Sequence, residues 1–160
     1  LSPVLTELRG LAPEKFFACL LAPPDRRDAL AALWVMSHET ARVHALADNP
    51  VIGLMRLQFW RDAIETAGDG RRLGHPAADA LRQAVRDGLL PVPPFEAHFA
   101  AREAALSDGA ADAAAPVVLL ATHLAGARVA RLPAIAGAFG TFGTRARLAM
   151  LWYWLIHRGA

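Results

Sequence analysis

Eleven prolines cut this chain into stretches of helical length, and that punctuation limits what it can fold into. Proline lacks a backbone N–H and clashes with the preceding turn, so it suits a helix's first turn and breaks its interior. Ala12-Pro13-Glu14 predicts a helix through Leu21, ended by Pro23-Pro24. Asp25 is the expected N-cap of a long helix from Arg26 to about Ala47, where Leu30, Leu33, Trp34 and Val43 recur at helical spacing. Ala29, Ala41 and Ala45 are small enough to let a neighbouring helix approach it closely. Asp48-Asn49-Pro50 reads as a turn. A third helix spans Val51 to Thr66, with Leu57, Trp60 and Ile64 on one face and Arg61 and Glu65 spaced to pair on another. Residues 68–76 read as loop, and Pro76 restarts a helix that Gly88 and the PVPP run of residues 91–94 close. Phe95 to Leu106 makes the next helix, and residues 107–116 form a linker of small side chains. Val117 to Arg131 is helical, and a last helix, Thr144 to Arg158, follows the glycine-marked PAIAGAFGTFG.

No segment alternates apolar and polar residues as a half-buried strand would, and no repeat is visible. With 160 residues, 54% of them hydrophobic, the chain is long and apolar enough for one globular domain that needs no disulfide or metal. The expectation is an all-α bundle of six or seven helices. The single cysteine, Cys19, sits in the apolar run FFACLL and reads as buried packing. No uncharged apolar run reaches the roughly 18 residues that span a bilayer. The chain opens on Leu1 rather than methionine, which fits either a removed targeting segment or a trimmed start.

Charge is unevenly placed. Residues 1–112 carry all 15 acidic groups against 12 basic ones, a balance of −3. Residues 113–160 carry Arg128, Arg131, Arg145, Arg147 and Arg158 with no acid, a balance of +5. A cationic, apolar tail suits anionic lipid or an acidic partner; the alternative is that these arginines pair with acids of the first half. Trp152, Tyr153 and Trp154 are consecutive and cannot share one helical face, so one of them is expected to face lipid or a partner unless the domain buries all three. Aromatic residues do not interleave with basic ones as a stacking platform requires, so nucleic acid is not an expected partner.

The run FFACLLAPPDRRDALAALWVMSHETARV, followed by LMRLQFWRDAIE and then HPAADALRQAV, resembles the squalene/phytoene synthase family in order and spacing. The resemblance covers roughly residues 12–106, and RLQFWRDAI, residues 56–64, is its best-kept segment. It implies a truncated isoprenoid-synthase-like bundle. It also implies a chemistry: active members condense prenyl diphosphates on magnesium ions held by two aspartate-rich helices. Magnesium demands carboxylate and water oxygens, so those acids have no neutral substitute. Counted from Trp34, the first motif falls on Ala41, Arg42 and Ala45, none of them acidic. The second belongs in the C-terminal half, where residues 113–160 hold neither aspartate nor glutamate.

The residues offer little other chemistry. His38, Glu39, His44 and Asp48 cluster on one helix, where a metal site competes with solvated or capping roles. His75 reads as a helix-entry residue, His98 with Arg102 as an exposed face, and His123 as a core histidine. Ser37 and Ser107 lack triad partners, and GAFGTFG lacks the lysine of a phosphate loop.

The expectation is therefore a non-enzyme with no cofactor and no metal. Glu39-Thr40-Ala41-Arg42-Val43 and residues 56–64 resemble one branch of the family, the mitochondrial complex I assembly-factor type. That branch implies an assembly factor or accessory subunit of a membrane respiratory complex. Its partners would be that complex's proteins, with anionic lipid as a further possibility. The implied location is mitochondrial, peripheral to the inner membrane, or else the cytoplasm or inner-membrane surface of a bacterium. Residues 1–106 would form the core, 107–116 a linker and 117–160 a basic tail. Arg128, Arg131, Arg145, Arg147, Trp152 and Trp154 would dock on membrane or partner. The alternative is an isoprenoid diphosphate-binding protein or prenyltransferase-like enzyme, alone or as the partner subunit of an active homologue, in which Arg42, Arg56 or Arg61 holds the diphosphate.

Overall fold

The computed structural model describes residues 1–43, 50–108 and 114–124. These contain seven α-helices and no strand. They are α1 (Pro3–Leu11), α2 (Pro13–Leu20), α3 (Arg27–Ala41), α4 (Pro50–Glu65), α5 (Pro76–Arg86), α6 (Pro93–Asp108) and α7 (Ala114–Leu124). Proline occupies the first turn of α1, α2 and α5, where its missing N–H has no partner to lose.

Helix α1 was not expected from the sequence. Ser2 caps it, its Oγ accepting from Leu5 N at 3.4 Å and donating to Asp28 Oδ1 at 2.7 Å. Val4, Leu5 and Leu8 point inward at i, i+1 and i+4, too short a pattern to announce a helix without its neighbours. Helix α3 differs at both ends. Pro24–Arg26 forms a 3₁₀ turn that contains Asp25, which makes no cap, and the α-helix starts at Arg27. It ends at Ala41 with Arg42 as C-cap, short of Ala47; residues 44–49 lie outside the described residues.

Helix α3 is the axis of the bundle. Leu30, Ala31, Ala32, Leu33, Val35 and Met36 are all buried, with α1, α2, α5 and α7 packed around them. Its alanines admit these neighbours closely, although Ala41 is exposed and plays no such part. Helix α4 buries Leu57, Trp60 and Ile64 against α5 and α6. At Gly53 it passes so close to the loop after α3 that an added Cβ would lie 2.6 Å from Val43 Cγ1. Arg61 does not pair with Glu65; it reaches α6, with Nε 3.3 Å from Glu96 and Nη1 2.8 Å from Glu103. Helix α7 contributes Val117, Leu120 and Leu124 to the same core.

Two buried polar groups tie the layers together. Arg82 is 1% exposed and binds Ala63 O at 3.0 Å, Thr66 O at 2.8 Å and Arg71 O at 3.1 Å, besides Asp69. It therefore clamps the end of α4 and the following loop onto α5. His98, expected on an exposed face, is wholly buried, with Nε2 2.9 Å from Thr40 Oγ1. Thr40 O–H donates to Met36 O, so the imidazole N–H donates to Thr40. His123 is corrected the other way: it lies exposed on α7. Cys19 is buried as expected, and burial pushes its thiol up to about 12.

Candidate functional site

A cavity of about 670 Å³ opens where α1, the end of α3, the first half of α4 and the entry to α5 converge. Helix α1 supplies Glu7 and Leu11, and the end of α3 supplies His38, Glu39 and Arg42. Helix α4 adds Ile52, Met55, Arg56, Phe59 and Trp60, and His75 closes the floor. One wall is thus apolar and aromatic, and the other carries both signs of charge.

At the floor, one ligand-type atom each from Glu7, Glu39 and His75 lies within 4.8 Å of the others. His75 Nε2 is 3.7 Å from Glu39 Oε1, and both side chains are about one-third exposed. The imidazole packs edge-on against Trp60, ring centroids 5.3 Å apart. The contact with His75 holds the Glu39 carboxyl below the usual carboxylate range, with Trp60 and Arg56 acting the same way and burial opposing. The same contact raises His75 above the ordinary histidine value. Burial lifts the Glu7 carboxyl, with Glu39's charge adding to it and His75 opposing.

His75 has a second duty. It caps α5, its Nδ1 accepting from Ala78 N at 3.4 Å. That role puts the neutral ring's proton on Nε2, facing Glu39.

Sequence reasoning assigned Arg42 and Arg56 to one site, and both line this cavity. Both are exposed and make no ion pair among the described residues. Arg61 lies elsewhere, held by the α6 carboxylates. Ala41 stands exposed at the end of α3. Ala45, Arg128, Arg131, Arg145, Arg147, Trp152 and Trp154 lie outside the described residues. The meeting of Glu7, Glu39 and His75 was missed, since they come from three elements and no spacing in the chain links them.

The sequence profile of the squalene/phytoene synthase family matches residues 8–149, most of the chain. The chain belongs to this family. Among curated proteins it is similar to NADH dehydrogenase (ubiquinone) complex I, assembly factor 6. The identity is 34% with the Rattus norvegicus protein, 33% with that of Homo sapiens and 32% with that of Bos taurus, each over 79 residues. Those residues are 49% of this chain and 24% of each relative, so the match spans about a quarter of the relatives' length. No solved structure matches.

Magnesium, the metal of catalytic family members, does not fit the described cavity. Its lining holds two cations, Arg42 and Arg56, and no aspartate. The remaining donors are two carboxylates and the imidazoles of His38 and His75, and imidazole is a poor magnesium ligand. A metal-bound histidine donates its second N–H outward, whereas His75 Nδ1 accepts from a backbone N–H. Glu39 and His75 satisfy each other instead.

Proposed function

We propose that this protein is a non-catalytic member of the squalene/phytoene synthase family that assists assembly of a membrane respiratory complex, or sits within one as an accessory subunit. The observation that carries the reading is chemical. Where catalysis calls for carboxylates, the chain has an exposed alanine and an arginine, and the nearby Glu39 is paired with His75. The named role of the similar assembly factors supplies the rest. The corresponding location is the mitochondrion, peripheral to the inner membrane, or the equivalent surface of a bacterial inner membrane.

The test is purification of the tagged full chain from its native cell in mild detergent, with mass spectrometry of what co-elutes. Respiratory-complex subunits in stoichiometric yield are expected, and a protein recovered alone refutes the role. One observation favours a second reading. Arg42 and Arg56 face a cavity with an apolar wall, an arrangement that suits a prenyl diphosphate. Binding or turnover of farnesyl or geranylgeranyl diphosphate, measured with and without magnesium, would establish it and displace the first.

A further inference from the structure

Five of the nine large hydrophobic side chains exposed among the described residues lie within nine positions of α4. They are Val51 (60% exposed), Ile52 (43%), Leu54 (47%), Met55 (67%) and Phe59 (37%). Helix α4 already buries Leu57 and Trp60 on its inward side, so its first half is apolar nearly all round. A helix of that kind is covered on both sides in its working state.

The surrounding charge indicates by what. At 100° per residue, Val51, Met55, Phe59 and Ile52 follow one another around the helix, and Arg56 comes next at the edge. Arg42 joins Arg56 along the cavity mouth. From Pro50 to Arg61 the helix contains no acid, and Asp62, the next residue on this face, is taken up by Gln58, whose Nε2 donates to its Oδ1 at 2.6 Å. Apart from Gln58, this face has no neutral hydrogen-bonding side chain to satisfy a protein partner's polar groups. Ile52, Met55, Phe59 and Arg56 also line the open mouth of the cavity. The face is apolar in the middle and cationic at one rim, as in helices that lie in the headgroup boundary of a bilayer. There, arginine reaches up to phosphate while its stem stays with the acyl chains.

We propose that the outward face of α4, with Arg42 and Arg56 at its rim, is a docking surface for an anionic lipid bilayer. No described helix is long and apolar enough to cross a membrane, so this contact is interfacial. It is independent of the assembly role, because a lipid-bound protein of another function would show it too.

The test is flotation of the full chain with vesicles of phosphatidylcholine alone, or with about one-third phosphatidylglycerol. The protein is expected to float with the anionic vesicles and far less with the neutral ones. The double variant Val51→Glu/Met55→Glu should lose flotation while keeping its helical circular dichroism, since both positions are exposed. Arg42→Gln/Arg56→Gln should weaken anionic partitioning roughly 25-fold, about fivefold for each cation removed. Wild type that floats with neither vesicle overturns the proposal. So does undiminished flotation of the Val51/Met55 variant, which would move the contact to the arginine-rich segment beyond Leu124. Loss of co-purifying proteins by that variant with flotation unchanged also overturns it, and gives the face to a protein.

Discussion

His75 shows how much one side chain can be asked to do. It caps α5 through Nδ1 and faces Glu39 through Nε2, and protonation strengthens the second contact at the expense of the first. Its raised pKa means that folding favours the protonated ring. The stability it contributes is complete below the ordinary histidine value and disappears as pH rises through the folded one. Glu39 is depressed, so its contribution is present above the ordinary carboxylate range and is lost as pH falls. The pair therefore stabilises most between the two, at mildly acidic pH. Glu7, raised by burial, works against the pair inside that window, because its contribution is lost as pH rises from the ordinary carboxylate value through the folded one. In a melting series from about pH 4 to about pH 9, His75→Asn should keep a capping oxygen and flatten the decline above neutrality. An unchanged decline would mean that the pair does not set it. Arg82 is the other residue to test. Arg82→Met strands three backbone carbonyls and should cost roughly 3–5 kcal/mol, about 10 °C in melting temperature for a chain of this size. Arg82→Lys should restore little of that loss, because an ammonium cannot reproduce the fork.

Helices were legible in the chain wherever proline marked a start and apolar spacing ran for three turns, as in α4 and α5. The reading failed at α1 and at both ends of α3. The first helix carries only three inward residues, and α3 continues its apolar pattern beyond Ala41 although the helix does not. Long-range partners left no trace: Arg61 had Glu65 at ideal spacing yet chose Glu96 and Glu103 across the α4–α6 contact. The cavity was half visible: Arg42 fell at a motif position of the family and Arg56 opened its best-kept segment, whereas nothing in the chain tied Glu7 to either. Gly53 is a test at this scale. Alanine there gains about 1 kcal/mol of helix propensity but drives a methyl into Val43, at a cost of roughly 1–3 kcal/mol. Chemical denaturation of Gly53→Ala should show net destabilisation, and adding Val43→Ala should return part of it. Equal effects of Gly53→Ala in the two backgrounds would mean that the contact is relaxed at no cost.

For the molecule as a whole, α7 belongs with the bundle. The small-residue stretch from Ser107 invites a cut near residue 113, but Val117, Leu120 and Leu124 belong to the same core as α3. Truncation after Leu124 leaves every described helix in place and removes Arg128, Arg131, Arg145, Arg147, Trp152 and Trp154 together. If the tail carries the partner contact, that variant should keep its far-ultraviolet dichroism over residues 1–124 and lose its co-purifying proteins. Retained partners would place the contact on the bundle instead.

The exposure of Ala41 and Arg42 has an evolutionary consequence. The body of α3 is locked by four neighbouring helices, but these two positions project into solvent at its tip. A substitution there leaves the packed core untouched, and exposed sites away from packing usually move stability by under about 0.5 kcal/mol. Selection on folding and selection on chemistry therefore act on different ends of one helix. A lineage can exchange acids for alanine and arginine at this tip without passing through an unstable ancestor. A scaffold of this kind would persist even where its reaction was lost, free to be recruited for the surfaces it presents.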